Sequence, residues 1–239
     1  MRQLFKYQFW QLLTALKWQI LLWLLISWLI IFGSAWQIRL NPHVNLCQVL
    51  FLGTSAADLA ARRISLPINW LVILIMPIIL FGDGLPWLNQ RSNRLLHGLG
   101  YQRWQFTLTN CWLMMSYSLF TSGQLSLVML LSTVLLKQPI IGQEWYLLPI
   151  IFGANLSLLF LDNILVMFNR YAGMIIEIFI LVLTVFVIIP GNFLNLTMLS
   201  RLEDANQWQV WPSLICWLLV LVTGYFVIDL QQFSWEGLG

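Results

Sequence analysis

Long apolar runs without charge, broken by short polar stretches, set the pattern of this chain. Residues 18–38 carry no charge and stop at Arg39. A helix crossing hydrocarbon needs roughly 20 mostly apolar residues, so this run predicts a first membrane helix. Residues 66–82 predict a second, short one with Pro77 inside it, which membrane helices tolerate when neighbours satisfy the freed carbonyl. Residues 104–136 are uncharged over 33 positions, too long for one upright helix and too short for two with a turn. They predict one long span, tilted or broken, with Gly123 as the kink. Residues 146–166 predict a fourth span, 171–190 a fifth ending at Pro190-Gly191, and 211–230 a sixth beginning at Trp211-Pro212.

Two segments differ in kind. Residues 44–60 are apolar only to about Ser55 and include Asp58, which predicts an extracytoplasmic or interfacial stretch; if it entered the membrane, the chain would have seven spans. Over 2–17, a helical wheel puts Phe5, Phe9, Leu12 and Leu16 on one side, with Arg2, Lys6 and Lys17 along its edge. That pattern predicts an amphipathic helix lying in the headgroup plane. The expected fold is therefore all-α: a polytopic membrane bundle of six transmembrane helices, preceded by an amphipathic N-terminal helix over 1–17. No repeat or linker divides residues 1–239, so a single domain is expected.

Composition strengthens this picture. The chain is 60% hydrophobic and 9% charged, against about 25% charged in soluble proteins. No stretch is polar enough for a soluble domain. Fourteen tryptophans suit the headgroup level, which indole rings favour. The first apolar run continues into a full span, unlike a cleaved secretory signal. A thinly spread net charge of +3 gives no reason to expect nucleic acid. Cys47, Cys111 and Cys216 lack paired spacing, so neither a disulfide framework nor a zinc site is expected.

Lysine and arginine set orientation. With both termini cytoplasmic, the inside holds Arg2, Lys6, Lys17, Arg91, Arg94, Arg103 and Arg170, and the outside Arg39, Arg62, Arg63, Lys137 and Arg201. The bias is small, and the basic N-terminus with Lys17 tips it towards a multi-pass cell-membrane protein with its N-terminus inside.

The polar stretch 83–104, DGLPWLNQRSNRLLHGLGYQRW, falls between spans two and three on the cytoplasmic side. Preceded by LPINWLVILIMPIILFGD, it resembles the corresponding region of small type-2 ABC exporter permeases of Gram-positive bacteria. There, a Leu-Pro-Ile-x-Trp opening leads into span two, and a cytoplasmic run in the style of R-x-x-x-L-L-x-x-x-G-x-x-R-W leads into span three. The matching residues are Arg91 or Arg94, Leu95, Leu96, Gly100, Arg103 and Trp104. The resemblance extends to the plan of six spans with an external segment, 190–212, before the last. In detail it covers roughly a fifth of the chain, and the long basic segment 39–65 departs from it.

The resemblance implies a permease with no ATPase of its own, and no G-x-x-x-x-G-K-[ST] phosphate loop is present. Two permease chains, identical or different, would sit on two nucleotide-binding ATPase subunits, which would hold the ATP and magnesium. Segment 83–104 would dock on the ATPase as a coupling element, with Arg91, Arg94, Leu95, Leu96, Gly100 and Arg103 as its surface. The expected function is outward movement of a hydrophobic or peptide-like substrate. The three arginines serve equally as topogenic charges. The alternative is a non-transporting six-helix accessory or immunity-type protein.

Ionisable groups inside a membrane are costly and count as functional candidates. Glu177 lies about two turns into the fifth span, seven residues after Arg170, and Asp162 near the end of the fourth. They read either as a cation or proton site or, preferably, as interfacial acids that pair with Arg170 or stay solvated. Asn110, Ser118 and Gln124 in the third span read, with Glu177, as a polar translocation path or as glue between helices, the commoner use. His43 and His97 are isolated in loops. No H-E-x-x-H or G-x-S-x-G motif is present, so no catalytic, cofactor or metal residues are expected.

Overall fold

The computed structural model describes residues 2–40, 44–63, 66–82, 84–88, 101–135, 142–188, 192–204 and 207–236. All regular structure among them is helical. The elements are α1 (Arg2–Leu40), α2 (Leu46–Phe51), α3 (Ala56–Ala60), α4 (Ile68–Phe81), α5 (Gly84–Leu88), α6 (Arg103–Leu135), α7 (Gly142–Phe168) and α8 (Arg170–Phe186). A 3₁₀ turn (Phe193–Thr197), α9 (Leu199–Asp204) and α10 (Gln207–Glu236) follow.

Among the described residues, four helices are long and apolar enough to cross a membrane: Arg2–Arg39, Arg103–Leu135, Tyr146–Phe168 and Val210–Leu230. Two shorter apolar helices, Ile68–Leu80 and Gly173–Phe186, accompany them. The distribution of side chains is the reverse of a soluble protein's. Leu25, Leu29, Phe32, Ile175, Phe179 and Leu219 stand exposed, whereas Ser27, Asn110, Ser118, Asn155, Asp162 and Glu177 are buried. Water penalises an apolar surface this extensive and lipid does not. The chain is built as a multi-pass membrane protein.

Two elements correct the sequence reading. Arg2–Leu40 is one uninterrupted helix of 39 residues, about 58 Å at 1.5 Å per residue. The separate surface helix expected over 2–17 does not form. No proline occurs in it and its first glycine is Gly33, so nothing ends the helix, and Leu4, Leu12 and Leu16 are buried against the bundle. The face marked by the wheel does exist: Leu12 and Leu16 enter the core, with Phe5 and Phe9 packed beside them. Likewise α6 runs unbroken through Gly123, which has open space around it.

Two large apolar cores divide the bundle along its length, and a small third cluster joins Ile150 of α7 to Val210 and Leu214 of α10. The proximal core joins Leu12 and Leu16 of α1 to Leu85 and Leu88 of α5, Leu113 and Tyr117 of α6, Leu159 and Phe160 of α7, and Tyr225 of α10. The distal core joins Ile31 and Ile38 of α1, Trp70, Ile73, Leu74 and Ile78 of α4, Leu125 of α6, Ile151 of α7, and Leu181 and Val185 of α8. Helices α7 and α10 approach closely at Gly153, where a Cβ would lie 2.8 Å from a Leu214 methyl.

The segment 44–60, expected as a plain interfacial stretch, folds as α2 and α3, and Leu46, Cys47, Leu50 and Phe51 of α2 are buried in the distal core. Arg201 of α9, only 5% exposed, ties this end together. Its Nε donates to the Thr54 carbonyl (2.8 Å) and its Nη1 to the Thr184 carbonyl and Asn195 Oδ1 (both 2.6 Å). Its Nη2 donates to Thr54 Oγ1 and the Val185 carbonyl (both 2.9 Å). One guanidinium thus joins the loop after α2, the end of α8 and the 3₁₀ turn. Trp70, the tryptophan of the Leu-Pro-Ile-x-Trp opening, is fully buried and donates from Nε1 to Thr197 Oγ1 at 2.8 Å. Gly53 crosses beside Met198 with φ of +68°, where a Cβ would come within 2.7 Å of the methionine side chain.

Arg201→Met removes five charge-assisted hydrogen bonds and leaves buried acceptors behind, of which the Val185 carbonyl keeps the Thr54 hydroxyl as a donor; the expected loss is about 3 kcal/mol. Arg39→Gln, at an exposed position, is expected to change stability by less than about 0.5 kcal/mol. Thermal unfolding of the two variants in one detergent checks the contrast.

At the start of α3, the Ser55 hydroxyl and backbone N–H hold the exposed Asp58 carboxyl below its ordinary value of 3.8. Its folded pKa being the lower, this cap contributes above the unfolded pKa and is lost as pH falls through the depressed value. Amide exchange at Asp58 is therefore expected to accelerate only below about pH 4.

Candidate functional site

Segment 83–104, expected as a coupling element, is packed on the bundle at both of its described ends, 84–88 and 101–104. Gly84 opens α5, and a Cβ there would stand 3.0 Å from a Leu16 methyl and 3.1 Å from one of Leu12. Leu85 and Leu88 are buried in the same core, so α5 lies directly on the first half of α1. Arg91, Arg94, Leu95, Leu96, Gly100 and His97 lie outside the described residues, as does His43. The segment ends at α6, whose start is fixed by Gln102 and Gln105: the Gln102 amide donates to Gln105 Oε1 (3.1 Å) and the Gln105 amide to the Gln102 carbonyl (3.0 Å). Trp104 donates from Nε1 to Gln102 Oε1 at 2.6 Å.

The first two turns of α6 are then fastened to α10. Thr107 donates to Asp229 Oδ2 at 2.5 Å, and the Arg103 charge acts on the same carboxylate. One turn further, Asn110 Nδ2 donates to the Tyr225 hydroxyl at 3.3 Å. Asp229 is legible in the sequence as an acid inside the otherwise uncharged run 211–230. Sequence reasoning passes over it because its partner, Thr107, is 122 residues away.

The four residues suggested as a translocation path are placed on separate seams. Asn110 faces α10; Ser118 donates to the Phe152 carbonyl of α7 at 3.0 Å; Gln124 donates from Nε2 to Ser27 Oγ of α1 at 2.5 Å. Each of these three bonds crosses a different pair of helices.

Glu177 of α8 sits beside Asp162 of α7, 0% and 2% exposed respectively. The expectation that these acids remain solvated is overturned. They stand at matching depths in the α7–α8 hairpin, seven residues before and eight after its single linking residue, Asn169. That is roughly 10–12 Å from the turn. Neither Glu177 oxygen has a hydrogen-bond partner. The Arg170 side chain, the expected partner, lies outside the described ones. Glycines make room for Asp162: a Cβ on Gly82 would come 2.7 Å from Oδ2, and one on Gly173 3.2 Å from Oδ1.

No known family profile, curated protein or solved structure matches this chain.

Thr107→Val leaves Asp229 without its short hydroxyl donor. The expected cost is about 2 kcal/mol, in the range for hydrogen bonds to charged groups. Glu177→Gln removes an ionisable group from a buried site beside a second acid, Asp162, so stability is expected to hold or rise. Parallel thermal melts check both directions.

Proposed function

We propose that this chain is the membrane-spanning permease subunit of an ABC exporter, with ATP and magnesium bound and hydrolysed by a separate ATPase subunit. The observation that carries this reading is the seating of segment 83–104. Its described ends are seated on the bundle: α5 packs on the first half of α1, and α6 is fastened to α10. A force applied to such a segment reaches three helices at once.

In this reading the four long helices, with α4 and α8, make six spans, and both termini are cytoplasmic. The proximal end is then the cytoplasmic one. Arg91, Arg94, Leu95, Leu96 and Gly100 form the ATPase-facing surface between the two anchors, and Arg103 closes it. Closure of the paired ATPases on ATP moves the segment, and α1, α6 and α10 shift with it between two arrangements of the bundle. A second permease chain completes the assembly. The exterior is apolar enough for a hydrophobic or peptide-like substrate to travel outward along the lipid-facing surface, while α6 meets its neighbours through Asn110, Ser118 and Gln124.

Co-expression with candidate ATPases tests the reading. The expected result is a complex that purifies intact and hydrolyses ATP, and that is lost on Arg91→Glu/Arg94→Glu or on deletion of 91–103. The reading fails if no ATPase binds, or if the deletion leaves binding intact.

A further inference from the structure

We infer that Glu177, beside Asp162 in the α7–α8 hairpin, is a proton-binding site within the membrane. Gly173 and Glu177 are four residues apart, one turn along the same face of α8. A Cβ on Gly173 would stand 3.2 Å from Asp162 Oδ1. Asp162 therefore reaches the face of α8 that carries Glu177, and its charge acts on the Glu177 carboxyl. On its other side, a Cβ on Gly82 would come 2.7 Å from Asp162 Oδ2, so the chain leaving α4 closes the place. Glu177 is 0% exposed and Asp162 2%.

The surroundings decide what this pair can hold. No described side chain donates a hydrogen bond to Glu177, whereas the buried Asp229 accepts from Thr107 and feels the Arg103 charge. Helix α4 packs against both α7 and α8 and contains no ionisable residue. Beyond Tyr171, Glu177 is the only ionisable residue of α8. Asp83 and the side chains of Arg170 and Tyr171 lie outside the described ones. A carboxylate taken out of water without a donor is among the costliest groups to bury, and a second acid beside it adds repulsion. One proton removes that charge. A calcium or magnesium ion would require about six or more oxygen ligands. Among the described residues, no group of three His, Cys, Asp or Glu could hold a metal ion. Around the Gly173 position, the atoms that follow Asp162 Oδ1 are a Val166 methyl at 3.2 Å and Leu165 Cβ at 3.3 Å. Two carboxyls against carbon fit a proton. An ionised Glu177 would need water between α7 and α8, so the proton and the packed hairpin stabilise each other. The inference stands without any ATPase partner.

The test treats the full chain, in mild detergent at neutral pH, with dicyclohexylcarbodiimide, an apolar reagent that modifies carboxyls carrying a proton. Its central carbon bonds the carboxyl oxygen while one nitrogen takes the proton. The acyl group then shifts to the other nitrogen, leaving a stable acylurea that mass spectrometry locates. Labelling of Glu177 is expected to exceed that of Asp58, which Ser55 holds ionised, by at least about tenfold. It should persist in Asp162→Asn and be unaffected by sodium, calcium or magnesium. Because the reagent must also reach the site, infrared spectroscopy gives a second readout that needs no access. The difference between wild type and Glu177→Gln is expected to contain the carbonyl stretch of a protonated carboxylic acid, and where the reagent is kept out this band decides. A difference spectrum without the band, or loss of band or label on adding one of the three cations, overturns the inference.

Discussion

Lipid offers no hydrogen-bond partners, so the polar groups this chain carries into its bundle have to be satisfied by one another. The rest of the structure follows from how that requirement is met. At the distal end it is met by Arg201, whose guanidinium takes five acceptors from three segments. Without that cation, Thr54, Thr184 and Asn195 would present buried oxygens that lose a donor, and the Val185 carbonyl would keep only the Thr54 hydroxyl. At the proximal end, Thr107 and Asn110 of α6 meet Asp229 and Tyr225 of α10. Between these ends, Ser118 and Gln124 stitch α6 to α7 and α1.

The two ends differ in how much they leave to bind. The distal end is closed by short helices and a 3₁₀ turn packed into its own core. The proximal end instead carries the two described ends of segment 83–104, an apolar cleft between α1 and α6, and two buried acids on the α7–α8 hairpin. The proposed contact with an ATPase subunit falls at this end. Glu177 departs from the bonded pattern around it, since neither of its oxygens is bonded, and intramembrane acids of that kind are costly to keep.

Much of the bundle can be read from the run lengths alone. The first, fourth and sixth apolar runs fall within α1, α7 and α10, and the second spans α4 with one or two residues over at each end. The uncharged run 104–136 becomes α6 almost to the residue, although the break expected at Gly123 is absent. The N-terminal stretch shows the limit of such a pattern. Its wheel picks out Leu12 and Leu16 as one face, yet the same face suits a membrane surface or a neighbouring helix. Only the presence of α5 and α6 beside it decides between them. The functional candidates divide in the same way: Asn110, Ser118 and Gln124 are visible as polar residues in an apolar run, but which helix each one faces is not.

Membrane class, the approximate positions of the apolar helices and the amphipathic face of 2–17 were all present in the linear pattern. They depend on composition and local periodicity, which a sequence carries in full. Three-dimensional packing settled that 2–17 continues α1, that α2 folds into the distal core, and that Arg201, Asp229 and Glu177 are buried. Two of these outcomes rest on partners far apart in the chain, 122 residues for Thr107 and Asp229 and 147 for Thr54 and Arg201. No pattern read along the chain contains such distances, because a buried charge is distinguished from a solvated one only by what packs against it.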